Sequence, residues 1–170
     1  GPISLKTNDE WLDVLSSVDT EINLFPLAYH SQYYNLSSAI SGEYAWVGQM
    51  NDNSFYDYSS HVDYVGGGAM FGFREFYEES GWGDTGQVDF PNRNGELFRE
   101  NLKRAKNADI DYLQLITWND WGEGTAIEPS SDYKFQQLTI VQEFVGIEPN
   151  ENDLELTTNL YQKRKEHKGK

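Results

Sequence analysis

Residues 117–129 read TWNDWGEGTAIEP, placing Asp120, Glu123 and Glu128 in one short stretch with Trp118 and Trp121. Asp120 and Glu123 lie three apart, with Gly122 and Gly124 on either side of the glutamate. On a helical or tight turn that spacing puts two side chains on the same side. Two neighbouring carboxylates in a partly desolvated cleft do not both ionise easily. One is pushed toward its protonated form and can serve as a general acid, while the other stays charged and can act as base or nucleophile. Breaking a glycosidic bond needs that division of labour. The indoles of Trp118 and Trp121 supply flat apolar faces of the kind on which the C–H patches of sugar rings stack. Glu128 has a supporting role, positioning the loop or one sugar hydroxyl. A plainer alternative stays open at this point: the acids cap the following turn and the tryptophans pack in the core.

Other chemistries fit less well. Hard cations want more oxygen ligands than this cluster offers, and neither DNSFYD (52–57) nor DTGQVD (84–89) follows the calcium-loop pattern, so no metal is expected. No G-x-S-x-G is present, and the glycines at 66–68 lack the Lys-Ser/Thr of a phosphate loop, so no cofactor is expected either. His61 pairs with no nucleophile motif and reads as structural. His30, beside Tyr29 at the end of a strand-like run, divides between a hydrogen bond to a sugar hydroxyl and a packing role. NLS at 35–37 satisfies the N-glycosylation triplet, a pattern too short to weigh.

The elements that must position these residues alternate between strand and helix. TNDEWLDVLSSV (7–18) opens with a capping-box pattern, Thr7 and Glu10, followed by Trp11, Leu12, Leu15 and Val18 at helical spacing. INLFPLAYH (22–30) has the look of a buried strand, with Pro26 arguing against a regular ladder throughout. YAWVGQM (44–50) and VDYVGGGAMFGF (62–73), the second interrupted by three glycines, are further strands. Residues 78–94 read as a loop. GELFRENLKRAKNA (95–108) is the clearest helix, with Asn94 as its cap and Phe98, Leu102 and Ala105 on one face. DYLQLITW (111–118) is a strand that runs into the acidic stretch. Asp132 can cap a helix bearing Leu138, Val141 and Val145 and stopped by Gly146. A last amphipathic segment (153–165) leads into a basic tail. Buried-type strands alternating with helices predict an α/β fold with parallel strands. Polar and aromatic residues gather just after the strands, as in (β/α)8 barrels and doubly wound sheets. A complete barrel takes about 250 residues. The roughly four strands expected in these 170 residues correspond to half of one.

Composition narrows the partners. The formal net charge is −15, and residues 161–170 hold five of the thirteen Lys and Arg with one acid. The other 160 residues set eight cations against 27 acids, a net −19. A body of that charge repels phosphate backbones and anionic membranes, so neither nucleic acid nor a membrane surface is expected as a partner. The short basic end reads as a solvated tail. No run approaches the roughly 18 apolar residues of a membrane span. There is no cysteine, which excludes disulfides and thiolate metal sites. Eleven Tyr and five Trp exceed what one core absorbs, so some are expected to line a cleft or surface.

WNDWGEGTAIEP resembles the signature of glycoside hydrolase families 71 and 99, in which a strand ends in an aromatic, Asn, an acid, an aromatic, another residue, Glu and a small residue. GEYAWVG (42–48), MFGFREFYEESGWG (70–83) and RNGELFRENLKRA (93–105) look like neighbouring segments of the same kind of protein. The resemblance covers most of residues 1–147, with 148–170 left as a carboxyl-terminal helix and tail. Asp120 is closer to family 71, since family 99 carries Glu there, while TAIEP is closer to family 99. The resemblance implies a (β/α)8 barrel that hydrolyses α-linked mannosides or α-1,3-glucan. It further implies Asp120 as the base that helps the sugar 2-hydroxyl displace the leaving group, and Glu123 as the general acid. On that resemblance the chain supplies roughly the carboxyl-terminal half of the barrel, and the substrate-binding set expected from residue type and position is Tyr29, His30, Trp46, Trp82, Trp118, Asn119, Trp121 and Glu128. The remainder of the cleft is expected from a missing amino-terminal half or a second copy. The expected location is secreted or periplasmic, with the export signal outside this chain.

Overall fold

Three parallel strands make the sheet, β1 (Gly42–Tyr44), β2 (Tyr64–Met70) and β3 (Tyr112–Ile116), neighbours in that order. The computed structural model describes residues 5–168 except 34, 37, 84, 85 and 87, which leaves Ser37 of the glycosylation triplet and part of DTGQVD outside the described residues. The expected strand at 22–30 is reduced to a single parallel bridge, Leu27 to Tyr44. Main-chain bonds from Ser41 to Leu24 O (2.9 Å), Tyr44 to Pro26 O (3.2 Å) and Ala28 to Tyr44 O (2.9 Å) still lay it along the edge of β1. Pro26 has no N–H to donate, which limits the ladder. The strand expected at 44–50 lies earlier, at Gly42–Tyr44, because Trp46–Gln49 turn back on themselves through Gln49 N to Trp46 O at 3.1 Å and Trp46 N to Gln49 Oε1 at 2.8 Å.

The three glycines do not interrupt β2, whose ladder with β3 runs unbroken from Gly66–Tyr112 to Met70–Ile116. They allow close approach. A Cβ on Gly67 would sit 2.6 Å from Ile110 Cδ1, and one on Gly68 2.8 Å from Met50 Cε.

Among the described residues six α-helices accompany the sheet: α1 (Asn8–Ser16), α2 (His30–Tyr33), α3 (Ser54–Tyr58), α4 (Glu96–Asn107), α5 (Gln136–Phe144) and α6 (Glu151–Lys168). Thr7 and Glu10 form the expected capping box of α1, each side chain bonded to the other's main chain. On α4, Phe98, Leu102 and Ala105 are buried, with Phe98 and Leu102 packing against Ala69 and Phe71 of the β2 segment. Each such apolar side chain contributes about 2 kcal/mol by leaving water. Asn94 is not the cap of α4. It lies at φ 57 in a 3-10 turn, Arg93–Gly95, and Gly95 at φ 88 takes the cap position. Nor does Asp132 cap α5: residues 130–134 close a tight turn, with Lys134 N bonded to Ser130 O at 2.9 Å, and Phe135 precedes the first helical residue. The face of α5 is shifted by one residue, so that Gln137 and Ile140 are buried while Val145 is 57% exposed. Gly146, at φ 77, ends α5 as expected, with Ile147 N reaching back to Gln142 O at 2.8 Å.

The last segment is helical but presents no packed apolar face: Leu156, Leu160 and Tyr161 of α6 are all exposed. No described helix is long and apolar enough to cross a membrane.

Candidate active site

β3 ends at Ile116, and the acidic stretch is the loop that follows at the carboxyl end of the sheet. The loop closes on its own main chain. Thr117 N donates to Thr125 O (3.1 Å), Ile127 N to Thr117 O (3.0 Å) and Glu128 N to Trp118 O (2.9 Å). Inside this ring the hydroxyls of Thr117 and Thr125 lie 2.8 Å apart, and Thr117 Oγ1 accepts the N–H of Asp120 at 3.1 Å. Thr125, Ala126 and Ile127 are buried and anchor the loop, while Trp118 and Trp121 stand 53% and 51% exposed. The alternative in which these indoles pack in the core is therefore not what the fold adopts.

Asp120 and Glu123 are both half-buried. Asp120 Oδ1 accepts the main-chain N–H of Glu123 at 3.0 Å, so the aspartate sets the turn that presents the glutamate. Glu123 Oε1 accepts the hydroxyl of Tyr77 at 2.9 Å. That bond and the glutamate's charge hold the Tyr77 phenol above its ordinary range, with smaller contributions from burial and from the charges of Asp120 and Glu75. Trp121 Nε1 donates to Glu128 Oε1 at 2.8 Å, which fixes the plane of the indole.

The segment after β2 braces the loop from the side. Arg74 N donates to Glu123 O and Phe76 N to Gly122 O, each at 3.0 Å. The two chains come so close that a Cβ on Gly124, which also sits at φ +62, would lie 3.1 Å from Arg74 O. Only glycine combines that conformation with that clearance. Between the loop and this segment lies an open cleft of about 430 Å³ lined by Arg74, Phe76, Phe90, Trp121, Asp132 and Tyr133, among others. The loop enters it through Trp121 and Gly124 rather than through its carboxylates.

The expected site residues are thus not all brought together. Trp118, Asn119, Asp120, Trp121, Glu123 and Glu128 share one loop. Trp82, on the segment after β2, is 86% exposed, and its N–H reaches Tyr77 O at 2.8 Å. Tyr29 and His30 follow the Leu27 bridge at the far edge of the sheet, where the Tyr29 ring packs 4.5 Å from that of Tyr58. Trp46 is half-buried against the core, edge-on to Tyr44. Two residues escaped the sequence reading. Tyr77 lies in MFGFREFYEESGWG (70–83), one of the segments of the resemblance, but nothing in that segment singled it out among its aromatic and acidic neighbours. Glu43 is fully buried within β1, and its two oxygens accept the N–H groups of Ser31 (2.9 Å) and Tyr29 (3.3 Å). An acid flanked by apolar strand residues was the available clue. His61 lies beside it, with Nε2 3.9 Å from Glu43 Oε2 and Nδ1 2.8 Å from Tyr58 O, so Nδ1 carries the proton it donates to that carbonyl.

No family model and no curated protein matches the sequence. The fold is similar to a solved structure of the glycoside hydrolase family 99 endo-alpha-mannosidase from Bacteroides thetaiotaomicron in complex with bis-tris-propane, at a TM-score of 0.53 and 17% identity over 71% of this chain and 45% of that one. A second structure of the same enzyme gives 0.52 and 15% over 71% and 42%. The chain therefore spans less than half the length of the structures it matches. At this level of identity the likeness is one of fold: a parallel α/β arrangement shared with part of a family 99 enzyme.

Proposed function

We propose that the chain carries the carboxylate pair of a glycoside hydrolase acting on an α-linked mannoside or glucan. The observation that carries the reading is Asp120 and Glu123 on one braced loop at the carboxyl end of a parallel sheet, in a fold similar to part of a family 99 endo-alpha-mannosidase. Glu123 acts as general acid to the departing oxygen, and Asp120 as the base that prepares the displacing group. Trp121, held by Glu128, is a wall for the sugar, with Trp118 beside it on the loop. Residues 1–147 form the barrel portion, and 148–170 an appended helix and tail. Further strands, from the same protein or a second copy, complete the cleft, in line with the share of the matched structures that this chain covers. A secreted or periplasmic location goes with this reading. The decisive test is Glu123→Gln in the full-length protein, with sugar release measured from α-mannan and α-1,3-glucan. Loss of release by the variant supports the assignment, and release at the unsubstituted rate sinks it.

A second reading is a glycan-binding module without turnover. It is favoured by Asp120 Oδ1 and Glu123 Oε1 both being engaged inside the protein while Trp82, Trp118 and Trp121 stand exposed. Calorimetric titration with α-linked oligosaccharides beside a long-incubation turnover assay separates the two, since binding without product belongs to the module alone.

A further inference from the structure

Tyr77 lies in MFGFREFYEESGWG (70–83), outside the acidic loop and with no role assigned from the sequence, yet its hydroxyl is the described side-chain donor to Glu123, at 2.9 Å. Its position is set by main chain on both sides. The Arg74 and Phe76 N–H groups bind Glu123 O and Gly122 O, lacing the segment to the loop that carries the glutamate. Tyr77 N then donates to Glu75 Oε2 at 2.9 Å, and Tyr77 O accepts from Trp82 N at 2.8 Å. A phenol tied down in this way approaches the carboxyl group from one fixed direction.

We propose that Tyr77 is a positioning residue for Glu123, aiming its carboxyl group and stabilising the negative charge that develops there as the proton leaves. The proposal rests on the reading of Glu123 as general acid and deepens it. In that step the Glu123 proton passes to the glycosidic oxygen while the bond from that oxygen to the sugar carbon breaks. The electron pair of the broken bond stays with the departing oxygen, and the pair of the former carboxyl O–H stays on Glu123 as carboxylate. Tyr77 keeps its own proton throughout. Its hydrogen bond is weaker to a neutral carboxyl than to the carboxylate formed from it. An interaction that strengthens on the way to the transition state raises kcat rather than merely tightening binding. A phenol with an ordinary pKa of about 10 keeps its proton at neutral pH, so Tyr77 stays a donor whichever form Glu123 takes.

The test uses the full-length protein with Tyr77→Phe and, separately, Glu123→Gln, the phenylalanine preserving the ring. Each is assayed on the polymer from which the protein releases sugar and on the dinitrophenyl glycoside of the same sugar unit, whose leaving group departs without a proton. On the polymer, Tyr77→Phe is expected to lower kcat about ten- to hundredfold with KM within about twofold. On the dinitrophenyl glycoside the loss is expected to be under about threefold, and Glu123→Gln is expected to show the same contrast more strongly. Equal losses of Tyr77→Phe on both substrates make the residue a loop strut and overturn the proposal, as does no loss on either. A Glu123→Gln variant that is inactive on the polymer beside an unchanged Tyr77→Phe overturns this proposal alone. Full polymer activity in Glu123→Gln, or no release by the unsubstituted protein, overturns the acid assignment and this proposal with it.

Discussion

Glu43 and Glu123 are carboxylates of the same parallel sheet and its loops, held in opposite ways. Glu43 is fully buried, and both its oxygens accept main-chain N–H groups, from Ser31 and Tyr29. Glu123 is half-buried, and its described side-chain partner is a single hydroxyl, that of Tyr77. The first arrangement turns the acid to the backbone: it clamps the segment after Leu27 to β1 and keeps the carboxylate away from solvent, with His61 Nε2 3.9 Å from Oε2. The second orients the carboxyl group and keeps it at the surface. Asp120 stands between them, one oxygen committed to the turn through Glu123 N. The degree to which an acid is used up by main chain is thus a better guide to its role than its presence near a strand end.

The contrast is broken most readily at the loop. Asp120→Asn keeps the Oδ1 acceptor for Glu123 N and removes only the charge, so the turn is expected to survive while kcat falls by about a hundred- to ten-thousandfold. Thermal melting within about 2 °C of the unsubstituted protein, beside that loss, places Asp120 with Glu123. Undiminished turnover places it with Glu43 as a purely structural acid. The converse substitution is Glu43→Ala, which strands the buried N–H of Ser31 and the partly buried N–H of Tyr29 and is expected to cost about 2 kcal/mol of stability in a urea titration. Glu43→Gln retains one acceptor oxygen and is expected to cost roughly half as much. If Glu43→Ala costs under about 1 kcal/mol, the clamp is not one and the comparison collapses.

Part of this was legible in the sequence. Apolar periodicity located α4 and its buried Phe98 and Leu102, and the Thr7–Glu10 spacing located the start of α1, because both signals are local. The acidic loop was legible because its residue types and spacing survive whatever surrounds them. Pro26 marked the limit of the edge ladder in advance, but the bond from Trp46 N to Gln49 Oε1 that follows the end of β1 at Tyr44 was not legible, nor were features decided by distant chain. The glycines of β2 read as a break, whereas they exist to admit Ile110 and Met50. Tyr77 meets Glu123 across 46 residues of sequence, and Glu43 meets Ser31 across 12, separations that no periodicity encodes. Substrate-binding roles for Tyr29 and His30 rested on their lying just after a strand-like run, while Trp46 was expected inside the strand at 44–50. Trp46 is half-buried against the core and Tyr29 packs on Tyr58, so position in or after a strand does not by itself deliver a side chain to the loop of Asp120.

A smaller effect sharpens the link between Tyr77 and Glu123 without any substrate. Because the glutamate's hydrogen bond and charge raise the phenol's pKa, Glu123→Gln is expected to return the Tyr77 titration toward its ordinary value near about 10. The sign for stability follows from the raised folded-state value. The stabilising increment is present below about pH 10, the unfolded value, and is lost as pH climbs through the folded one. Ultraviolet difference titration of the two proteins, with Tyr77→Phe identifying the band, reads the shift directly. An unchanged Tyr77 titration in Glu123→Gln means that the bond is not formed in solution.

The smallest expected effect belongs to Glu128, which acts on the indole rather than on the reacting bond. Its Oε1 accepts Trp121 Nε1–H, and Trp121 is half exposed beside the cleft, so the ring has little else to fix its plane. Removing the acceptor in Glu128→Ala lets the indole turn, and a sugar must then select the stacked orientation, which raises KM and leaves the chemical step alone. One neutral-to-charged hydrogen bond of about 1 kcal/mol corresponds to a rise of roughly fivefold. Glu128→Gln keeps an acceptor oxygen and is expected to restore most of it. A fall in kcat at constant KM would instead move Glu128 from the wall of the site into its machinery, and the acids of this loop would then number three.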